Sequence, residues 1–192
     1  PDLEVRGRPP VRSGGGRFAA GTLVRKACLA SVLVLALAVV PARARGDAPP
    51  AVEHQPALCT VPDKTISLCA AISDDGNIAA ARLYFRRAGE DYYSFVDMSF
   101  TGISYCGTLP APREKTKAIE YYVQAIDDSY EPTRTSTFRL PVEPEGVCEF
   151  PPLEESPERA SAIRVFATSR KQGKKLDGGF VKAGVTFVPV RK

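Results

Sequence analysis

Short stretches of alternating apolar and polar residues run through the middle of the chain, from Leu58 to about Cys148. Such alternation is typical of strands, and turn-forming Gly, Pro, Asn and Asp residues interrupt it every 8 to 15 residues. The pattern predicts seven strands, at 58–61, 64–72, 78–87, 92–99, 102–109, 117–127 and 133–142. One helical turn is predicted at 112–118. We therefore predict an all-β fold, a seven-stranded antiparallel sandwich of two sheets with flexible flanks.

The predicted sandwich domain spans 58–148, and three segments on its two sides differ from it in composition. Residues 45–57 are rich in Pro and Ala and predict a disordered spacer, while residues 149–160 form an acidic, Pro-containing linker. Residues 161–192 form a basic tail with two alternating stretches, at 161–168 and 184–190. These stretches are compatible with a hairpin, with an added edge strand, or with a segment that is disordered until it binds.

The first 44 residues have the features of an export leader. Residues 27–40 are uncharged and apolar, follow Arg25 and Lys26, and precede a small-residue cleavage sequence that ends at Ala44. This run of 14 residues is shorter than the roughly 20 that a membrane-spanning helix needs. We predict a signal peptide at 23–44, cleaved near Ala44, an over-extended leader at 1–22, and a periplasmic or extracellular protein.

Composition argues against catalysis and against a metal site. The 192 residues include one His, no Trp and five Cys. His54 lies in the predicted spacer, where we expect it to be solvated, and no CxxC pair points to zinc. We predict no enzyme activity, no cofactor and no metal. Acidic loops remain as a calcium alternative to plain turns; they contain Asp74, Asp75, Asn77, Asp127 and Asp128.

The formal net charge of +4 conceals a marked segregation of charge. Residues 57–148 carry 9 basic and 13 acidic side chains, whereas residues 159–192 carry 9 basic and 1 acidic. Such asymmetry bears on partners more than on fold.

The stretch AIEYYVQA at 118–125 resembles the sixth strand of bacterial immunoglobulin-like and fibronectin type III-like domains. In these domains a Tyr stands two residues before an inward-facing apolar or Cys position. The resemblance implies that Tyr121 is similar to the tyrosine-corner residue and that Val123 occupies the position of the second Cys of antibody domains. The chain departs from the antibody pattern because it also lacks the Trp of the third strand.

The resemblance also ranks the possible disulfides among the four cysteines beyond the leader. Cys69 and Cys106 would lie on neighbouring strands of one sheet and could meet across its outer face. Cys59 and Cys148 would then close a loop of about 90 residues. In a fibronectin-like sandwich these two cysteines are expected at opposite ends, so the connectivity stays open at this point.

Strand alternation defines a candidate binding face. If the apolar residues of 78–87 and 117–127 face inward, the residues between them face outward on adjoining strands. The outward-facing set is Arg82, Tyr84, Arg86, Glu120, Tyr122 and Gln124, with Arg139 as a possible neighbour. Tyr and Arg are enriched at interface hot spots, so this face is compatible with a protein partner. It is also compatible with sugar rings packed on Tyr84 and Tyr122, or with an ordinary solvated sheet face.

The basic tail offers a second contact through Arg170, Lys171, Lys174 and Lys175, which could attract anionic polymers or lipid head groups. Export argues against a specific nucleic-acid partner. The predicted function is a non-catalytic, exported cell-envelope module that binds or spaces envelope or extracellular proteins. The alternative is an accessory carbohydrate-binding module.

Overall fold

The computed structural model describes residues 48–149 and 163–191, and no α-helix occurs among them. The predicted leader (1–22), the predicted signal peptide (23–44) and the predicted linker beyond Glu149 lie outside the described residues. Eleven strands are described: β1 (Ala51–Glu53), β2 (Ile66–Ser73), β3 (Ile78–Arg87), β4 (Ser94–Asp97), β5 (Ser99–Phe100), β6 (Tyr105–Leu109), β7 (Ala118–Asp127), β8 (Pro132–Arg134), β9 (Phe138–Pro141), β10 (Ile163–Ala167) and β11 (Val185–Val188). The prediction of an all-β fold with two sheets is confirmed.

The strands form one small and one large sheet. The small sheet has the order β1-β2-β6-β5, and the large sheet has the order β11-β10-β4-β3-β7-β8, with β9 also paired to β7. All pairs between strands are antiparallel except β10 with β11, which are parallel. The predicted count of seven strands is wrong, because β1, β10 and β11 are added, two predicted strands are each divided and 58–61 forms no strand. The purely antiparallel arrangement is wrong because β10 and β11 are parallel.

The two sheets share one hydrophobic core. The core includes Leu68 of the small sheet together with Leu83 and Val123 of the large one, all of them buried. Gly107 on β6 marks a close approach, since a Cβ at this position would lie 3.1 Å from Met98 Cγ. Along β2, β3 and β7 the buried side chains lie on the apolar side predicted from alternation, which is the pattern of sheets that pack face to face.

Two predicted strands are divided in the structure. The segment predicted at 92–99 forms β4 in the large sheet and then β5 in the small sheet. Met98 lies at the crossing, where its side chain is buried and its N–H donates to the Ala81 carbonyl at 2.9 Å. The segment predicted at 133–142 forms β8 and β9, which pair with different parts of β7.

Two further local predictions are wrong. Residues 58–61 form no strand, and only Thr60 makes an isolated parallel bridge, to Val142. Residues 112–118 form a loop rather than a helical turn. The loop is held from outside, because Arg113 N–H donates to the Gly179 carbonyl at 2.8 Å and Thr116 Oγ1 donates to the same carbonyl at 2.6 Å.

The N-terminal segment predicted as a disordered spacer contains a strand. Within 45–57, β1 pairs with β2 in an antiparallel register that places Val52 opposite Ile72. Val52 also packs against the shared core, which explains why this short strand joins the small sheet.

The basic tail is part of the large sheet. Because β10 and β11 are parallel, the hairpin considered for this segment is wrong, whereas the alternative of added strands holds. β10 joins the sheet beside β4, with Phe166 opposite Phe95. The connection between β10 and β11 contributes Leu176 and Phe180 to the core, so this segment is packed through its own apolar residues.

Both disulfides are formed. Cys69 and Cys106 are directly opposite on β2 and β6, as the resemblance implied. Cys59 also bonds Cys148. The expected separation of this pair is wrong because the chain around Thr60 runs beside β9, where Thr60 N–H donates to the Pro141 carbonyl at 2.9 Å.

Candidate functional site

A row of apolar side chains crosses the outer face of the large sheet. Its members are directly opposite one another on five adjacent strands: Tyr122, Tyr84, Phe95, Phe166 and Val188. We call these five residues the outer row. Each of them is half-buried, so the row is an apolar ridge that remains partly open to solvent.

The rings of the outer row stack against one another. Tyr84 and Tyr122 are nearly parallel, with centroids 4.7 Å apart, and Phe95 and Phe166 are stacked at 5.0 Å. Tyr84 and Phe95 link the two pairs at 5.2 Å. Directly opposite side chains on neighbouring strands lie close enough for such contacts, which stabilise the sheet.

Four arginines lie over the rings of this face. Arg82 lies 4.7 Å from the Phe95 centroid, Arg86 lies 4.4 Å from Tyr93, Arg134 lies 5.3 Å from Tyr122, and Arg164 lies 5.2 Å from Phe166. These distances are within the range of cation–π attraction.

The four arginines differ in their acidic partners. Arg86 donates to Glu120 at 2.7 Å, and Arg82 lies 3.5 Å from the Asp97 carboxylate. Within 48–149 and 163–191, neither Arg134 nor Arg164 has a carboxylate at ion-pair distance. Their guanidinium groups therefore retain donors for a binding partner.

The predicted face residues are brought together as strand alternation indicated. Arg82 lies opposite Gln124, Tyr84 opposite Tyr122, and Arg86 opposite Glu120, all on the outer side of β3 and β7. The expected neighbour Arg139 lies 3.6 Å from Glu120.

The sequence prediction missed a large part of this face. The members that were not among the candidates are Phe95, Phe166, Val188, Arg134 and Arg164. The parity of β4 could have placed Phe95 outward, since Ser94 and Val96 are buried on either side. No sequence signal places Phe166 beside it, because that contact depends on β10 joining the sheet.

Burial affects the phenol group of Tyr122, at the β7 end of the outer row. Burial, and next the neighbouring Tyr84, raise the pKa of Tyr122, while Arg134 opposes this shift. Tyr122 therefore stays neutral up to a higher pH than an ordinary tyrosine, and its hydroxyl can serve as a hydrogen-bond donor to a partner.

A cleft of about 250 Å³ opens between the end of β3 and the connection from β10 to β11. The predicted face contributes Arg86 to its lining, and the basic tail contributes Lys171 and Lys175. The structure therefore joins two surfaces that the sequence predicted separately. Arg170 and Lys174 are exposed and do not line the cleft.

An ion-pair network holds one wall of this cleft. Arg87 Nε donates to Asp177 at 3.1 Å, and Arg87 also pairs with Glu90. Asp177 Oδ1 accepts a further bond from Gly179 N–H at 2.8 Å. The hydrogen bond to Asp177 raises the pKa of Arg87, so this group remains charged and ties the tail to β3.

The acidic loops converge but form turns. Asn77 Nδ2 donates to Asp128 Oδ2 at 3.0 Å, and Gly76 N–H donates to Asp74 at 3.0 Å. The buried Asp127 accepts from Glu131 N–H at 2.7 Å. In the described part of the chain, no group of three His, Cys, Asp or Glu side chains is placed to hold a metal ion.

His54 is a structural residue, and its predicted solvation is wrong. The Cys69 carbonyl lies 2.7 Å from Nδ1, which must be the protonated nitrogen because a carbonyl only accepts. Nε2 then accepts from the Tyr121 hydroxyl at 3.0 Å, while Ala57 N–H donates to the same hydroxyl at 3.3 Å. In a tyrosine corner the Tyr hydroxyl forms a hydrogen bond with the backbone a few residues upstream. The Tyr121 hydroxyl instead contacts the distant N-terminal segment, so it does not have the tyrosine-corner role that the resemblance implied.

We expect Tyr121→Phe to lower the free energy of unfolding by about 1–3 kcal/mol, because it leaves His54 Nε2 and Ala57 N–H without a partner. Burial raises the pKa of Tyr121 above its ordinary 10.0. Near and above pH 10 the unfolded chain therefore binds fewer protons than the folded one, so the free energy of unfolding falls as the pH rises. Urea unfolding from pH 8 to 11 should show a shallower fall in the variant. The exposed Tyr130→Phe is the control, and an equal fall in all three proteins would contradict the prediction.

No helix among the described residues has the length and apolar character that a membrane crossing requires. No protein-family model matches the chain, and no curated protein is significantly similar to it in sequence. The structure by itself shows an all-β protein with two sheets, two disulfides and an aromatic, arginine-lined outer face.

Proposed function

We propose that this protein is a non-catalytic, exported module of the cell envelope with an immunoglobulin-like or fibronectin type III-like sandwich, and that it binds a partner protein. The outer row and the arginines above it form the contact face. The open row of stacked rings, with three arginines over its rings and Arg86 over the adjacent Tyr93, is the observation that carries the proposal.

The strand orders support the finer fold assignment. Immunoglobulin-type domains have strands A, B, E and D in one sheet and C, F and G in the other. The order β1-β2-β6-β5 corresponds to the first sheet, and β3-β7 with β8 and β9 corresponds to the second. β4, β10 and β11 are additions to this plan.

Two observations support export. The sequence at 23–44 has the pattern of a cleaved signal peptide. The two disulfides are typical of proteins that fold in oxidising compartments.

The composition of the face supports a protein partner. Interface hot spots are enriched in Tyr and Arg, and a partner that covers them excludes water from a well-packed patch. Arg134 on β8 and Arg164 on β10 stand at two ends of the face, four strand spacings apart. At about 4.8 Å per spacing, they lie roughly 19 Å from each other. A partner with an apolar strip between two acidic groups would complement this arrangement.

The ring geometry favours a protein over the alternative carbohydrate ligand. Sugar rings stack on flat, open aromatic faces, whereas Tyr84 and Tyr122 turn their faces towards each other with 7° between their planes. Ring edges and guanidinium groups are therefore what the surface offers. The commitment of His54 to two hydrogen bonds supports a non-catalytic role.

The test is affinity capture with the double variant Tyr84→Ala, Tyr122→Ala. We expect it to reduce capture of an envelope protein at least about tenfold, as truncation of hot-spot aromatic residues does. Capture would be quantified by mass spectrometry from envelope extracts of the producing cells, with circular dichroism and thermal unfolding to verify the fold.

The matched control is Phe100→Ala, Tyr130→Ala, which removes two aromatic residues that are 60% and 83% exposed and lie outside the face. This control should capture the partner as the parent chain does. Equal capture by both double variants would eliminate the outer row as the contact face.

A further inference from the structure

The cleft beside the outer row combines an apolar floor with charged walls. Phe85, Leu176 and Phe180 lie at the floor, and all three are buried. Tyr92, which is 36% exposed, stands at the margin. Methylene groups of an inserted side chain would therefore meet apolar surface, and a charged end would meet the walls.

Two of the positive charges on the walls have no acidic partner. Arg87 is paired with Glu90 and Asp177, and Arg86 is paired with Glu120. Lys171 and Lys175 are exposed, and in the described ranges no carboxylate lies within ion-pair distance of either ammonium group. These two lysines are the charges available to a ligand.

The size of the cleft indicates what can enter it. Its volume of about 250 Å³ is below the roughly 300–1,000 Å³ of small-molecule sites. One side chain of a partner fits such a space better than a whole metabolite does.

The mixed charge of the lining selects against densely charged ligands. Glu90, Asp91 and Asp177 lie on the same walls as the lysines. A polyanion or an anionic lipid surface would bring several negative charges close to these carboxylates. A single carboxylate can reach the lysines while its neighbours remain outside.

We propose that this cleft, between Lys171 and Lys175, receives one acidic side chain, with glutamate preferred, from a partner protein. Arg86 belongs both to the outer face, where it lies over Tyr93, and to the cleft lining. The two surfaces are therefore continuous, and the inference names the chemistry of the partner in the proposed function, on which it rests.

The probe is the peptide acetyl-Gly-Gly-Glu-Gly-Gly-amide, titrated into the disulfide-bonded, isotope-labelled chain and followed by NMR. We expect shifts at Lys171, Lys175 and Tyr92, with a Kd of about 1 mM for a single contact of this kind. The Gln analogue of the peptide should bind at least about fivefold more weakly, because it lacks the charge.

Two double variants with the same loss of charge separate the cleft from general attraction. Lys171→Gln, Lys175→Gln should weaken peptide binding about tenfold. Arg170→Gln, Lys174→Gln removes two charges from the same segment outside the cleft and should change the Kd less than about twofold. Asp91→Asn should tighten binding about twofold, because it removes a like charge from the wall.

Three outcomes would overturn the inference: no binding of the Glu peptide, equal weakening by both double variants, or inorganic phosphate binding at these resonances as well as the peptide does. The result is separable from the proposed function. If Tyr84→Ala, Tyr122→Ala abolishes partner capture while the peptide fails to bind, the face stands and the cleft proposal fails. If the peptide binds while Tyr84→Ala, Tyr122→Ala leaves partner capture unchanged, the cleft proposal stands and the outer row fails as the contact face.

Discussion

Replacing Cys59 and Cys148 together by alanine should lower the free energy of unfolding by about 4 kcal/mol. In the chain-entropy model the gain from a disulfide grows with the loop it closes, and these cysteines are 89 residues apart. Domains are stable by only about 5–15 kcal/mol, so the variant should be marginal at 37 °C. Alanine avoids placing a hydroxyl at the buried Cys148 position.

The matched comparison is the double alanine variant of Cys69 and Cys106, which are 37 residues apart. Its free energy of unfolding should fall somewhat less, and the two variants should differ by less than about 1 kcal/mol. Equilibrium unfolding in urea under non-reducing conditions measures both. A larger loss for the Cys69 and Cys106 variant would contradict loop closure as the main source of stabilisation.

Replacing Phe180 by alanine should cost about 3–5 kcal/mol, the range for truncating a buried aromatic side chain. Phe180 is 1% exposed and packs edge to face on Phe85 at a centroid distance of 5.2 Å. The change would leave a cavity where the basic tail meets the core of the large sheet. Because the tail and the sheet share this core, the whole domain should unfold at a lower urea concentration in one transition.

The control for this variant is Val190→Ala, in the same segment, at a residue that is 39% exposed. We expect a change within about 0.5 kcal/mol. If Phe180→Ala left stability unchanged, the tail would not be packed as the structure has it. The cleft at Lys171 and Lys175 would then lose its wall.

The two candidate surfaces meet at Arg86, and this has a consequence for binding. A partner that covers the outer row would pass beside the cleft and could insert an acidic side chain there. Apolar contact on the row would then supply most of the affinity, while the cleft would select among partners by charge.

Much of the outer face could be predicted because alternation alone gives parity. β3 begins and ends at the predicted residues 78 and 87, and Tyr84 and Tyr122 face outward as expected. Parity does not reveal which strands become neighbours. Phe95 and Phe166 are therefore members of the row that only the register of β4 and β10 identifies.

The predictions failed where a contact depends on distant parts of the chain. His54 was expected in solvent because it lies in a segment rich in Pro and Ala, yet residues 15 and 67 positions away hold it. The same applies to the Cys59–Cys148 bond, which depends on the pairing of Thr60 with Val142.

The amino-acid sequence by itself determined the all-β class, most of the turns, and the inner and outer side of each long strand, since period-two alternation and turn chemistry are local properties. The tertiary structure alone decided that the tail becomes β10 and β11, that the outer row extends over five strands, and that Lys171 and Lys175 rather than Arg170 and Lys174 face a cleft. These outcomes depend on which buried surfaces pack together across long sequence separations. The energies of such contacts depend on several distant segments at once, so no single stretch of residues determines them.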